Sequence, residues 1–194
     1  MPERITKNSR SVFLLAFFLY FSFIGIAYPE SVQPIPWVTL ETKYTIIRFL
    51  KAEDLDTFSV SMDFDQKFWG LKQLFSDKSP GTVHEEVSAK VDNLYERVQE
   101  ILDMRKKSPK VFINIYPDRN LLDQAYYHIY QSKNNIRAWY IFDSNTIYIN
   151  INDVHEGMLA HEMAHSIIDH FLLVRPPAAS AEILSRYVDA HIHR

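Results

Sequence analysis

Apolar residues recur along the chain with two different periods, and each period predicts a different kind of element. Between Glu85 and Arg105, apolar residues return every three or four positions with charged residues between them, which predicts an amphipathic helix. Leu121–Tyr130 predicts a second helix, and residues 54–80, which have no clean period, are assigned short helices. Runs of β-branched and aromatic residues predict four strands, at Thr42–Phe49, Val111–Tyr116, Ala138–Phe142 and Thr146–Ile151.

The last quarter of the chain begins with a strongly apolar helical segment. Asp153, with Glu156 three residues later, has the spacing of a capping box, so a helix should begin near Val154. Pro176 cannot continue a helix, and we expect this one to end near Leu173.

A second helix is predicted after this turn, over Ala181–His191, with Ser180 as a favourable N-cap. No internal repeat and no linker divide the chain after residue 27. Strands interspersed with helices then predict one α+β domain over residues 28–194, built around a small mixed sheet.

Composition excludes several classes of function. The chain has 194 residues, 47% of them apolar, and a formal net charge of -3, which is typical of a globular protein rather than of a partner for nucleic acid. It has no cysteine, so disulfides, cysteine-ligated zinc, iron–sulfur clusters and cysteine nucleophiles are excluded. Only 4 glycines are present, and no glycine-rich phosphate loop can be found.

The N-terminus has the three parts of a secretory signal peptide. A basic segment up to Arg10 precedes residues 11–27, which carry no charge, and the small residues Gly25 and Ala27 fit a cut before Tyr28. This pattern predicts a periplasmic or secreted protein, and the lack of cysteines and glycosylation sequons favours a bacterial one. The alternative is an uncleaved membrane anchor, although the apolar run is shorter than the roughly 20 residues of a spanning helix. Contact with a membrane is expected only in that case.

The first C-terminal helix contains the sequence His161-Glu162-Met163-Ala164-His165. Four residues is about one turn, so both imidazoles leave the same face of the helix and can reach one Zn²⁺ ion. Glu162 is offset by one position, beside the open coordination site, where a general base belongs. The surrounding helix is apolar nearly all round, and ionisable side chains buried there would be costly without a partner such as a metal ion.

A third ligand has to come from outside this helix. Asp169 lies two turns from His161, about 12 Å along the axis, too far for one ion to bridge. Downstream, both Glu182 and Asp189 are candidates. The turn brings the start of the last helix back first, which favours Glu182 and leaves Asp189 to bind an imidazole N–H. A plain ion pair between Glu182 and Arg186 is the alternative.

An HExxH helix followed by a carboxylate on the next helix resembles the gluzincins, a group of zinc peptidases. The resemblance covers about residues 138–190 and is sharp only at HExxH itself. It implies a zincin-like domain, zinc, hydrolysis of peptide bonds, and the ligands His161, His165 and Glu182. Gluzincins commonly carry an aspartate four residues after the ligand glutamate, and this chain has Arg186 there.

These features favour an exported zinc peptidase that acts on a peptide or protein substrate with Glu162 as the general base. Tyr187, His155 and His191 are candidates to stabilise the oxyanion. We further expect Thr146–Ile151 to be an edge strand to which an extended substrate can add. The alternatives are a non-proteolytic, zinc-stabilised binding module of the cell envelope and a structural protein without a metal.

Overall fold

The computed structural model describes residues 35–62 and 81–193. They belong to one compact unit that begins at Ile35. The predicted signal segment (residues 1–27), and residues 63–80 of the segment assigned short helices, lie outside the described residues. The described strands are β1 (Val38–Glu41), β2 (Thr45–Phe49), β3 (Val111–Tyr116), β4 (Ala138–Ile141) and β5 (Thr146–Asn150). The described helices are α1 (Ala52–Ser61), α2 (Val83–Leu102), α3 (Arg119–Tyr130), α4 (Glu156–Phe171) and α5 (Ala178–His191).

The five strands form one mixed sheet in the order β1-β2-β3-β5-β4. β2, β3 and β5 are parallel to one another, and the outer strands β1 and β4 are each antiparallel to their neighbour. Parallel neighbours require long crossover connections, and the helices α1, α2 and α3 lie within these connections. The α+β fold with a mixed sheet that the sequence predicts is confirmed.

The strand predicted to form the substrate-side edge lies in the interior of the sheet. β5 pairs with β3 on one side and with β4 on the other, so the prediction for Thr146–Ile151 is wrong. Its uncharged sequence is typical of a strand with neighbours on both sides. Within the described residues β4 pairs only with β5, and β4 is the edge strand that packs beside α4.

The main core lies between one face of the sheet and the helices α2 and α4. Ile47, Ile113 and Ile147 are paired in one row across the three parallel strands, and all three are fully buried. The opposite face carries a smaller aromatic cluster that includes Tyr116 and Trp139 and packs under α3. The helix with the HExxH sequence is therefore part of the main core.

The first predicted strand is interrupted by a turn at residues 42–44. The Asp92 carboxylate of α2 accepts hydrogen bonds from the Thr42 hydroxyl at 2.6 Å and from the N–H groups of Lys43 and Tyr44 at 3.0 and 3.1 Å. Residues before the turn form β1, which the sequence pattern did not predict. The strand β2 therefore begins at Thr45, because a side chain 48 residues away in sequence holds the turn.

The helix α4 begins at Glu156, two residues later than predicted. Its N-cap is His155, whose Nδ1 accepts a hydrogen bond from the N–H of Met158 at 3.3 Å. Asp153, which we expected to form a capping box, instead accepts a hydrogen bond from the Asn150 side-chain amide at 2.9 Å. The predicted capping box is therefore wrong.

The helix α5 begins at Ala178, three residues before the predicted start. Pro177 is its N-cap residue, and the Pro177 carbonyl accepts hydrogen bonds from the N–H groups of Ser180 and Ala181 at 2.9 and 3.1 Å. A proline is tolerated at a helix start because its fixed φ fits there and its missing N–H costs no hydrogen bond. The prediction of Ser180 as N-cap is therefore wrong.

The remaining predicted elements lie within a few residues of their observed bounds. α2 begins two residues before Glu85, and α3 ends at Tyr130 as predicted. Of the helices within residues 35–62 and 81–193, none has the length and apolar character needed to cross a membrane.

Candidate metal centre

Two histidines of α4 line the same cleft. His161 and His165 are one turn apart, and their Nε2 atoms lie 3.2 Å from each other. Their side chains are 19% and 21% exposed, so each ring is largely buried while its Nε2 atom remains close to the cleft. The predicted orientation of both imidazoles on one helix face is confirmed.

The other faces of α4 are held in the core. Ala160, Met163, Ala164 and Ile168 are all fully buried. Alanines beside each histidine allow the neighbouring elements to approach the helix closely, so it cannot rotate without opening the core. The histidine positions are therefore set by core packing.

A polar network also joins α4 to the turn between β4 and β5. The Ser166 hydroxyl donates a hydrogen bond to Asn145 Oδ1 at 2.7 Å, and the Tyr140 hydroxyl donates to the same oxygen at 3.1 Å. The Asn145 side-chain amide donates to the Lys110 carbonyl at 3.1 Å. Because these groups satisfy one another inside the protein, they fix the helix relative to the edge strand.

Glu182 of α5 completes a group of three possible ligands. Its Oε2 atom lies 3.6 Å from His161 Nε2 and 3.6 Å from His165 Nε2. One ligand atom from each of the three residues lies within 4.8 Å of the other two, so the group could hold a metal ion. Glu182 was favoured from the sequence because the start of the second helix returns first to the histidines, and it is the residue found beside them.

The second oxygen of Glu182 has a different partner. Arg186 Nε donates a hydrogen bond to Glu182 Oε1 at 2.7 Å, one turn along α5. This hydrogen bond, more than the nearby histidines, holds the pKa of Glu182 below its usual value. The ion pair considered as an alternative from the sequence therefore coexists with the approach to the histidines, and it favours the charged form of the carboxylate.

Asp189 contacts the first histidine from the outer side. Its Oδ2 atom lies 3.0 Å from His161 Nδ1, as expected for a carboxylate that accepts the imidazole N–H. With Nδ1 protonated, the lone pair of His161 is on Nε2 and is directed towards Glu182 and His165. Asp189 is thus the acid that contacts His161, seven residues after Glu182 in the chain.

Of the acids that line the cleft, Glu162 has the pKa that is shifted most from its ordinary value. It is only 9% exposed, and burial raises its pKa to about 7, with a further rise from the charges of Glu182 and Asp189 and a partial offset from His161. A group with a pKa near neutrality can both accept and return a proton at physiological pH. This rise in the pKa of Glu162 is compatible with the general-base role that the sequence predicts.

The donor set fits a transition metal. Burial, together with the charge of His161, lowers the pKa of His165 and so favours the neutral imidazole that a metal requires. Two imidazoles and one carboxylate suit a zinc ion with an open fourth position. The same set also suits iron(II), so zinc remains a prediction.

The histidines and Glu162 open onto a cleft of about 720 Å³. One wall is formed by the edge strand β4 and by Ile136, two residues before it, and the other by α4, the α4–α5 loop and the first turns of α5. The residues that line it, besides the three possible ligands and Glu162, are Ile136, Ala138, Trp139, Tyr140, Asp169, Arg175, Pro176, Ala178, Ala179 and Ala181.

The three residues proposed from the sequence as oxyanion stabilisers lie elsewhere. His155 caps α4 through its Nδ1 atom. The ring of Tyr187 stacks on His191 with centroids 4.0 Å apart, and His191 Nδ1 donates to the Tyr187 carbonyl. None of the three is among the residues that line the cleft within the described part of the chain, and their role in stabilising an oxyanion stays a prediction.

Sequence reasoning missed a cationic residue of the cleft. Arg175, in the loop between the two helices, donates from Nε to Asp169 Oδ2 at 3.1 Å. Asp169 was excluded as a ligand by its distance along the helix, and this contact gives it another partner. The one available indication was a lone cation between Val174 and Pro176 in an otherwise apolar turn.

Comparisons of the chain with protein-family models, curated proteins and solved structures gave no match. The function is therefore inferred from the site itself.

Proposed function

We propose that the chain is an exported metallopeptidase that hydrolyses peptide bonds with a zinc ion held by His161, His165 and Glu182. The observation that carries the proposal is the convergence of these three ligand atoms within 4.8 Å of one another in the cleft that Glu162 also lines. The pattern of two histidines, one carboxylate and an adjacent buried glutamate is the arrangement used for metal-assisted hydrolysis.

The bound zinc would supply Lewis acidity, which activates water and polarises the substrate carbonyl. Glu162 accepts a proton from the attacking water, whose oxygen forms a bond to the carbonyl carbon. When the carbon–nitrogen bond breaks, Glu162 returns the proton to the leaving amine. Asp189 keeps the lone pair of His161 on Nε2, and Arg186 binds the second carboxylate oxygen of Glu182.

An extended peptide is the substrate class that the cleft favours. β4 is an edge strand within the described residues, and its residues Ala138, Trp139 and Tyr140 line the cleft. An edge strand offers unpaired backbone groups to which a peptide can add. These features support β4 as the edge to which a substrate adds.

The decisive experiment compares the zinc-loaded wild type with Glu162→Gln on a mixed peptide library. We expect Glu162→Gln to retain zinc and fold while cleavage slows by about 10²–10⁴-fold, because only the proton transfer is lost. Glu156→Gln, at the start of the same helix and outside the cleft, is the matched control. Loss of zinc from Glu162→Gln would identify Glu162 as a ligand, and equal rates for both proteins would refute the mechanism.

One observation favours a second candidate, a zinc-stabilised binding module without proteolytic activity. None of the three oxyanion stabilisers expected from the sequence lines the cleft. Such a module would bind zinc and gain stability from it, yet the wild type would cleave no peptide of the library. A chain that binds no zinc at all would instead support a structural role.

Export is tested separately. Mass spectrometry of the native protein should find an N-terminus at Tyr28, as the cleavage pattern after Ala27 predicts. An intact Met1 would support the membrane anchor.

A further inference from the structure

Arg175 is held in the cleft by two contacts that leave most of its donors unused. Its Nε atom donates to Asp169 at 3.1 Å, and its Cζ atom lies 4.5 Å from the centroid of the Phe142 ring. The hydrogen bond to Asp169 fixes one edge of the guanidinium, and the contact with the Phe142 ring fixes one of its faces. The side chain is therefore positioned in advance, although it is 57% exposed.

The remaining donors form a fork. Within the described residues, no hydrogen bond engages the two Nη groups of Arg175, which together carry four N–H donors. Planar Nη pairs bind a carboxylate through two parallel hydrogen bonds. Arg186, the other arginine near the centre, donates to Glu182 and does not line the cleft.

The helix spacing gives the level of Asp169, the residue that holds this fork, relative to the two histidines. His161, His165 and Asp169 follow one another at intervals of four residues, and all three line the cleft. Asp169 lies about 9 Å along the helix axis from the midpoint between the two histidines. An extended peptide rises about 3.3 Å per residue, so this distance corresponds to two or three residues.

We propose that Arg175 binds a carboxylate of the substrate two or three residues from the scissile bond. This inference rests on the proposed peptidase function and defines its substrate class as peptides with a carboxylate at that distance. The carboxylate is either the C-terminus of the peptide or an Asp or Glu side chain. The Asp169 side chain is only 4% exposed and is paired with Arg175, so it acts as the positioning residue of Arg175.

The test measures binding rather than turnover. Zinc-loaded Glu162→Gln is titrated by calorimetry with an apolar hexapeptide that has a blocked N-terminus. The peptide is used in three forms: with a C-terminal amide, with a free C-terminal carboxylate, and with a C-terminal amide and one Glu, whose position is varied along the sequence. We expect the carboxylate forms to bind at least about tenfold more tightly than the neutral amide, as charge-assisted hydrogen bonds provide. The form that gains affinity identifies the source of the carboxylate.

Arg175→Gln in the same background should abolish this preference. Arg105→Gln, which removes the same charge from an exposed arginine paired with Glu100 outside the cleft, should leave it intact. Because Arg175→Gln leaves the buried Asp169 carboxylate unpaired, the double variant Asp169→Asn/Arg175→Gln provides a neutral hydrogen-bonded pair with the same prediction.

Equal affinity for amide and carboxylate peptides, a preference that survives both Arg175 variants, or no peptide binding would each overturn the assignment. Failure of the proposed function gives a different result: carboxylate peptides bind through Arg175, and the zinc-loaded wild type hydrolyses none of them. Hydrolysis without a carboxylate preference would overturn the role of Arg175 alone.

Discussion

The two helices that supply the candidate metal ligands differ sharply in burial. Most of α4 is buried, and its histidine side chains are about one fifth exposed. On α5 only Ala181, Ser185 and Val188 are buried, and the side chains of Glu182 and Asp189 are 41% and 44% exposed. The histidines are thus positioned by the core, whereas the carboxylates are positioned by the docking of a mostly exposed helix.

The side of α5 that packs against α4 explains how one helix positions two acids. Ala181 and Val188 are seven residues apart, almost two full turns, and lie on the same side of the helix. Glu182 and Asp189 each follow one of these buried residues directly. Packing of this side of α5 against α4 therefore brings Glu182 to the Nε2 atoms of both histidines and Asp189 to the outer side of His161.

The largest difference is expected in the free energy of unfolding, when a buried isoleucine of α4 and an exposed isoleucine of α5 are each replaced by alanine. Ile168→Ala on α4 should lower the free energy of unfolding by about 2–5 kcal/mol, because it leaves a cavity in the core. Ile183→Ala on α5, where the residue is 68% exposed, should change it by no more than about 0.5 kcal/mol. Urea unfolding of the metal-free proteins measures both values. Equal losses would mean that α5 is as strongly held as α4.

A second test removes the candidate ligand on α5. Glu182→Gln should weaken zinc binding by about a hundredfold or more, since catalytic zinc sites usually take three protein ligands. Competition with a chelating dye measures the affinity, and Glu156→Gln is the control. Unchanged affinity in Glu182→Gln would leave the two histidines as the only protein ligands on the described residues.

A smaller effect is expected from the acid that orients His161. Asp189→Asn should weaken zinc binding by about 10–100-fold, as is typical for groups that hydrogen-bond a ligating histidine. Asp123→Asn is the matched control, because Asp123 is an equally exposed aspartate that pairs with Arg119 on α3. An Asp189→Asn effect larger than that of Glu182→Gln would assign the ligand role to Asp189.

The smallest effect is expected for the ion pair on the outer face of α5. Arg186→Gln should change zinc affinity by less than about threefold, because exposed pairs one turn apart contribute only about 0.3–0.5 kcal/mol. The Arg186 side chain is 74% exposed. The dye competition used for Glu182→Gln measures this change. A loss comparable to that of Glu182→Gln would mean that Arg186 is required to hold the carboxylate in place.

Local sequence patterns predicted the elements whose stability is local. Val111–Tyr116 has the bounds expected from its β-branched run, and the orientation of His161 and His165 follows from helical spacing alone. The start of α4 was mispredicted because two competing caps lie within three residues: the His155 side chain caps the helix, while Asp153 accepts a hydrogen bond from Asn150. The prediction of β5 as an edge failed because pairing depends on where β3 and β4 are placed by the crossovers.

The sequence by itself determined the fold class, the two histidines, the adjacent glutamate and the approximate ends of the helix that carries them. These follow from periodicity and from interactions within a few residues of one another. Only the tertiary structure decided that Glu182 approaches both histidines, that Asp189 holds His161, and that Arg175 lines the cleft with Asp169 as its anchor. The reason is physical: these contacts join separate elements, and their distances depend on how α5, the loop before it and the edge strand pack against α4.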